Sequence, residues 1–322
     1  MSNQPPIEVP QGAIRLNTDS QKLEFFAQDR WYEMATDVPT LDGGARGLIG
    51  GGRDKTALNF ITIPTAGNGT DFGDFSTDDI EGGAFASRTR SVAFGHLSHT
   101  NIMEFVTFSS TGNATDFGDM VVLRRSAQSC SNQTRGVMMG GIIPGTPNTD
   151  AMDFSTIATT GNALDFGNLA TVSGNTSGNA GSPTRGLCLG GTPSATGAAQ
   201  FITIATTGDA STFGDLNESQ GNRGSCSNTI RAIHSHSQVI DFLTIATTGN
   251  STNFGELGND YAYKAACTSK TRAVWGGGLV SPGGSNMMMY IEIMTGGDSV
   301  DFGDLDDNYY VNVASSNDHG GL

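Results

Sequence analysis

Apolar and polar residues alternate with a period of two in short runs along nearly the whole chain, and no stretch carries the three-to-four spacing of a helix face. The runs recur. Residues 111–119 read TGNATDFGD, and related segments stand at 66–74 (AGNGTDFGD), 160–168 (TGNALDFGN), 207–215 (TGDASTFGD), 248–256 (TGNSTNFGE) and, one residue longer, 295–304 (TGGDSVDFGD). Their Phe-Gly pairs begin at Phe72, Phe117, Phe166, Phe213, Phe254 and Phe302, spaced by 45, 49, 47, 41 and 48 residues. Six copies at that period predict an array of one supersecondary unit.

Each repeat holds four strand-like pieces, as the second one illustrates: FVTF (105–108), ATDFGDM (114–120), RSAQSC (125–130) and RGVMMGG (135–141). The first piece returns as FITI, FVTF, FSTI, FITI, FLTI and YIEI. Its second and fourth residues (Ile61/Ile63, Val106/Phe108, Ile202/Ile204, Leu243/Ile245, Ile291/Ile293) share one face by strand geometry. The leading aromatic (Phe60, Phe105, Phe154, Phe201, Phe242, Tyr290) takes the other. Two apolar faces suit a small sheet packed between two neighbours. Four short strands per unit, six times over, predict an all-β fold, a six-bladed β-propeller.

Residues 1–40 stand apart. AIRLN, KLEFF and RWYEM (13–17, 22–26, 30–34) read as three short strands separated by polar turns, and residues 36–44 as a linker before the propeller of 41–322. So small a sheet is marginal by itself, so residues 1–40 are expected to lean on a partner: the propeller, a symmetry mate forming a trimer, or a larger assembly.

Composition narrows the function. The net charge of −15 lacks the basic footprint of a nucleic-acid binder, so no nucleic-acid partner is expected. No run of about 20 apolar residues predicts a membrane span, and MSNQPPIEVP has no basic-then-apolar secretory pattern. Cys130, Cys226 and Cys267 each lie five residues before an arginine and so occupy one repeat position. They and Cys188 are expected to be buried free thiols.

An apolar strand ending in Gly-Gly (Gly140-Gly141, Gly190-Gly191, Gly276-Gly277-Gly278), followed by aliphatic, aromatic and Arg-leading strands, resembles the kelch repeat over residues 45–317. Two departures stand out: Phe in FGD replaces the kelch Trp, and His234-Ser235-His236 occupies a glycine position. In wording, TIATTGNALDFG and SPTRGLCLGG resemble repeats of tail and fibre virion proteins of tailed bacteriophages, especially marine ones. GAIRLNTDSQKLEFF…RWYEM is similar to a short β module near the N-termini of such proteins. The resemblance implies a virion protein made in the host cytoplasm, with residues 1–40 joined to other tail proteins and the propeller facing a host-surface glycan or protein.

The first repeat lacks an innermost strand upstream, while YYVNVASS (309–316) follows the last repeat. The C-terminal segment is therefore expected to lie at the hub beside residues 46–52, with Ala314 at the place of Cys130, removing an open edge. Small residues (Ala84, Ala86, Ser126, Ala127, Ala265, Ala266) mark the other innermost strands. Antiparallel order then places all the nearly invariant turns on one side and all the variable loops on the other. Loops on a rigid scaffold are where binding is usually built. The candidate receptor face comprises Asp78, Asp79, His99, Asn101, Asn148, Asp150, Ser194, Glu218, Asp260, Ser285, Asp306 and Asp307.

The candidate chemistry is weaker than its structural counterpart. One Arg opens a strand in each repeat (Arg46, Arg90, Arg135, Arg185, Arg231, Arg272) and could ring an anion. Bonding to backbone, or to the residue before each Phe-Gly (Asp71, Asp116, Asp165, Thr212, Asn253, Asp301), explains a once-per-repeat residue better. The loop carboxylates, Glu81 among them, could support glycoside hydrolysis or hold calcium, but they lack the spacing of either and read as a solvated rim. His96, His99, His234, His236 and His319 form no ligand motif. No catalytic residue, metal or cofactor is expected. The alternatives to a receptor-binding protein are a purely architectural virion component and a kelch-like enzyme acting on polysaccharide.

Overall fold

The structure, a computed structural model, describes residues 9–17, 22–33, 45–98, 100–146, 148–192, 197–217, 223–280, 283–310 and 312–322. Strands, bridges and turns account for all the regular structure among them; there is no helix. The chain divides into two compact units, Met1–Leu41 and Asp42–Leu322.

In the smaller unit Ile14–Asn17, Lys22–Ala27 and Arg30–Glu33 form an antiparallel sheet. Gln28 and Asp29 both hold positive φ (47° and 58°), the conformation a two-residue hairpin turn needs. Period-two geometry sorts the faces. Arg15 lies over the Trp31 ring at 4.1 Å and bonds Glu24 at 2.7 Å on one side. Ile14, Leu16, Leu23 and Phe25, which register against one another, are exposed on the other.

The larger unit repeats one antiparallel sheet, β-propeller-like in its strand order. The second repeat gives the plain form: Ile80–Ala86, Arg90–His96, Ile102–Thr107 and Thr115–Asp119, each paired with the next. The third, fifth and sixth follow it from Gln128–Ser131, Arg223–Ser227 and Ala265–Thr268 as first strands. In the first repeat the order is Val313–Ser316, Arg46–Gly50, Ala57–Thr62 and Thr70–Asp74. The C-terminal segment thus pairs beside Arg46–Gly50 as expected, with two corrections. Tyr309 ends the preceding strand, Val300–Tyr309, so only four residues form the pairing one. Ser315, not Ala314, matches Cys130: Ser315 faces Leu48 as Cys130 faces Val137, each opposite the third residue of its Arg-Gly-aliphatic strand. A one-residue slip matters because it turns a side chain to the other face.

The fourth repeat departs from four strands. Its sheet is Arg185–Leu189, Ala198–Thr203 and Ser211–Asp215, and Thr176–Gly178 pairs in parallel with Arg223–Ser227 of the following repeat instead. Gly178 (φ 122°) permits this, since a Cβ there would stand 2.2 Å from the Ser225 carbonyl oxygen.

The core lies between sheets. Leu48, Leu58 and Phe72 of the first repeat pack against Ala84, Ala86, Ala93, Val106 and Phe108 of the second, and every successive pair of repeats has such a cluster. One more joins Ile61 and Ile63 of the first repeat to Val274, Met288 and Phe302 of the last. The two faces of FITI therefore serve two different interfaces, and each fully buried side chain there, such as Ile61 or Phe108, contributes about 1.5–3 kcal/mol. All four cysteines are buried and free. Burial pushes the Cys188 and Cys267 thiols up to about 12 and the other two upward as well, so they remain protonated and serve as small hydrophobes.

Candidate functional site

The repeated motif explains itself at the ends of the sheets that carry the short turns. The amide of Gly112 donates to the carbonyl of Phe72 at 2.7 Å, Ala114 donates to Asp74 at 2.7 Å, and the Asp74 amide donates to Asn113 Oδ1 at 3.1 Å. The Gly-Asn turn of one repeat is thereby stitched to the Phe-Gly-Asp strand of the repeat before it. The same Asn/Asp acceptor recurs at Asn162, Asp209, Asn250, Asp298 and Asn68. The Phe-Gly glycine sits under the neighbouring turn: a Cβ on Gly118 (φ 135°) would lie 2.5 Å from the Gly161 carbonyl.

The strand-opening arginines complete this end. Arg135 covers the Phe154 ring at 4.3 Å and donates from Nη1 to the Ile204 carbonyl of the next repeat at 2.9 Å. Arg46, Arg90, Arg185, Arg231 and Arg272 do likewise, each reaching the end of the next repeat's FITI-like strand. Of the two partners expected for them, backbone is the one found. The residues before Phe-Gly (Asp71, Asp116, Asp165, Thr212, Asn253, Asp301) are exposed instead.

At the opposite ends lie the long loops, and a polar position missed in the sequence fixes them. In five of the six repeats the residue preceding the aromatic is polar and buried: Asn59, Glu104, Asp153, Gln200 and Asp241 are each at most 5% exposed, while Met289 takes the place in the sixth. Each holds the loop that enters its repeat. Glu104 accepts from the Ser76 amide at 3.1 Å, Asp153 from Val121 and Val122 at 3.1 and 3.2 Å, and Gln200 from Thr171 at 2.9 Å. Asp241 accepts from the Asn217 side chain at 2.8 Å, and Asn59 donates to Asp306 at 2.7 Å. Buried polar groups need such partners. The signal in the sequence was a polar residue at one repeat position inside an otherwise apolar strand.

Of the twelve candidate loop residues, His99, Ser194 and Glu218 lie outside the described residues. Asp78, Asp150 and Asp260 are exposed, Asn101 and Asp79 half-buried, and Asn148 and Ser285 buried. Several are engaged with their own chain. Asp79 caps the Asp54 amide at 2.9 Å, Asn148 accepts from Thr192 at 3.4 Å, and Ser285 accepts from the Met287 amide at 3.1 Å. Asp306 binds Asn59 and the Tyr309 hydroxyl, at 2.7 Å each, and Asp307 pairs with Lys55. These carboxylates act as loop braces.

The charged group that the structure does assemble on this end combines Glu81 with two arginines the sequence did not single out. Glu81 is buried; Arg125 reaches it at 3.1 Å and Arg53 at 3.6 Å. Burial pushes its carboxyl above the ordinary value, against the pull of Arg125 and Arg53. Arg53 also covers the Tyr310 ring at 5.5 Å and keeps a side chain 42% exposed. Beside it in the same repeat, Lys55 lies on the Tyr309 ring at 5.9 Å. In the sixth repeat Lys264 is buried among Tyr261, Trp275, Met287 and Met289, donating to the Ser237 carbonyl at 2.9 Å. Burial lowers its amine to about 8. Among the described residues no group of three His, Cys, Asp or Glu side chains is placed to hold a metal ion.

Fold and site together define a repeat-built, all-β, β-propeller-like protein whose sheets are tied rigidly at one end and carry polar loops at the other. No protein-family model matches the chain, and no curated protein matches its sequence.

Proposed function

We propose that this chain is a structural protein of a tailed-bacteriophage virion, a tail-fibre or tail-tip component. In this reading residues 45–317 form a six-bladed, kelch-like β-propeller completed by Val313–Ser316, and its loop face meets a glycan or protein on the host surface. Residues 1–40 join it to other tail proteins through the apolar face of Ile14, Leu16, Leu23 and Phe25.

The observation that carries the reading is the difference between the two ends of the sheets. At one end every repeat spends its turn residues on the same bonds to its neighbour, so those residues cannot vary without loosening the array. At the other end the recurring bonds, from Asn59, Glu104, Asp153, Gln200 and Asp241, hold the loop roots, and the further braces differ from repeat to repeat. That is the arrangement of a recognition surface.

Mass spectrometry of purified particles tests the virion assignment, which an absence of this chain would overturn. Adsorption of intact particles tests the face. Antibody to residues 142–151 or Arg53→Ala with Arg125→Ala should block attachment, whereas antibody to the short-turn end should not. A second reading, an architectural component without receptor contact, is favoured by the internal use of Asp79, Asp306 and Asp307. It predicts normal adsorption in both experiments.

A further inference from the structure

The turn at residues 66–69 differs from its five counterparts at one position. Where the others carry Ala114, Ala163, Ala210, Ser251 and Ser299, this one carries Gly69, and Asn68-Gly69 is the sole Asn-Gly pair in the sequence. The cause is local. A Cβ on Gly69 would stand 2.9 Å from Asn59 Oδ1 and 3.4 Å from Leu305, because Asn59 is held there by Asp306 and Tyr309. Bracing the Asp306 loop through Asn59 therefore sets a requirement for little or no side chain after Asn68, which glycine meets without any shift.

That requirement has a chemical consequence. A glycine leaves the following amide nitrogen sterically open to the asparagine side chain, and Asn68 is exposed. We infer that Asn68 is a spontaneous deamidation site, guarded by the hydrogen bonds that link the first repeat to the last. In the reaction the deprotonated Gly69 nitrogen forms a bond to Asn68 Cγ, the Cγ–Nδ2 bond breaks and ammonia leaves. One water then opens the succinimide to aspartate or isoaspartate. The guard is specific. Gly69 donates its N–H to the Asp304 carbonyl at 2.7 Å, and Asn68 Oδ1 accepts from the Asp304 amide at 3.1 Å, with Gly67 bonded to Phe302 at 2.7 Å alongside. The nucleophile's proton is thus held and the electrophile fixed until this link opens, so modification proceeds from the locally opened state.

The two products differ in effect. Aspartate reproduces the residue already used at Asp209 and Asp298, whose Oδ1 atoms accept the equivalent bonds at 2.9 and 3.0 Å. Isoaspartate lengthens the main chain by one carbon and cannot keep both Gly67 and Gly69 in register with Phe302 and Asp304.

The full chain is incubated at pH 8 in buffer and in denaturing urea, and the peptide holding Asn68 is followed by mass spectrometry with isoaspartyl detection. The unfolded chain should deamidate first at Asn68, at least about tenfold faster than the native protein, as protection by a closed link requires. Asn68→Asp should melt with the parent. Native protein aged to isoaspartate should show faster hydrogen exchange at Gly67, Gly69 and Asp304. Equal native and unfolded rates, another asparagine reacting first in urea, or unchanged exchange in the isoaspartyl protein would each overturn the inference.

Discussion

Arg272 donates from Nη1 to the carbonyl of Pro64 at 2.7 Å, joining the last repeat to the first, while its guanidinium lies 4.5 Å from the Tyr290 ring of its own sheet. Glu292 accepts from its Nε at 2.6 Å. One side chain thus serves an intra-sheet stack and an inter-sheet bond, as its counterparts do in the other repeats.

Arg135 is the position to test this dual role, since its guanidinium stacks on Phe154 of its own sheet and bonds the Ile204 carbonyl of the next repeat. Arg135→Ala should cost about 2–3 kcal/mol, from a cation–π contact and a charge-assisted bond. Arg135→Lys should restore less than half, because an ammonium cannot both stack and reach with a planar fork. Urea denaturation checks both values.

Gly118 should be far less tolerant than Gly67. A Cβ on Gly118 meets the Gly161 carbonyl at 2.5 Å on a backbone with φ 135°, whereas one on Gly67 meets nothing within 4 Å. Gly118→Ala is expected to destabilise by about 3 kcal/mol or more and Gly67→Ala by less than about 1 kcal/mol. Thermal melts of the two variants decide this.

Asp153 compensates Arg124, whose side chain is fully buried and also donates to the Gly140 carbonyl at 3.0 Å. Asp153→Ala leaves that charge unpaired and frees the Val121 and Val122 amides. A loss of about 3–5 kcal/mol is expected. Arg124→Met combined with Asp153→Leu should recover part of it, which a double-mutant cycle measures.

His319 makes stability depend on pH. Residues 317–322 run along the short-turn end, where His319 Nε2 lies 2.9 Å from the Ala86 carbonyl and 3.2 Å from Ser131 Oγ. Its Nδ1 accepts from the Gly321 amide at 3.1 Å. Burial lowers its pKa from 6.5 to about 4. Between those values the unfolded chain binds a proton that the folded chain does not. The contribution is therefore complete above pH 6.5 and is lost as pH falls toward 4, by about 3 kcal/mol in total. Denaturation midpoints measured across that window should fall with pH, and the His319→Gln variant should flatten the slope.

The sequence by itself determined the all-β class, the repeat and its period, the two apolar faces of the FITI strand, and the pairing of the C-terminal segment with Arg46–Gly50. Each follows from local rules, period-two alternation and recurrence, which are written residue by residue along the chain. The buried polar position at Asn59, Glu104, Asp153, Gln200 and Asp241 was equally present in the repeat, but its meaning depended on which loop lay opposite. Tertiary structure alone decided that the arginines bond the next repeat's backbone, that Glu81 gathers Arg53 and Arg125, that Thr176–Gly178 leaves its own sheet, and that Asp306 and Asp307 brace loops. These contacts join residues far apart in sequence through side-chain reach and inter-sheet geometry, which alternation cannot encode.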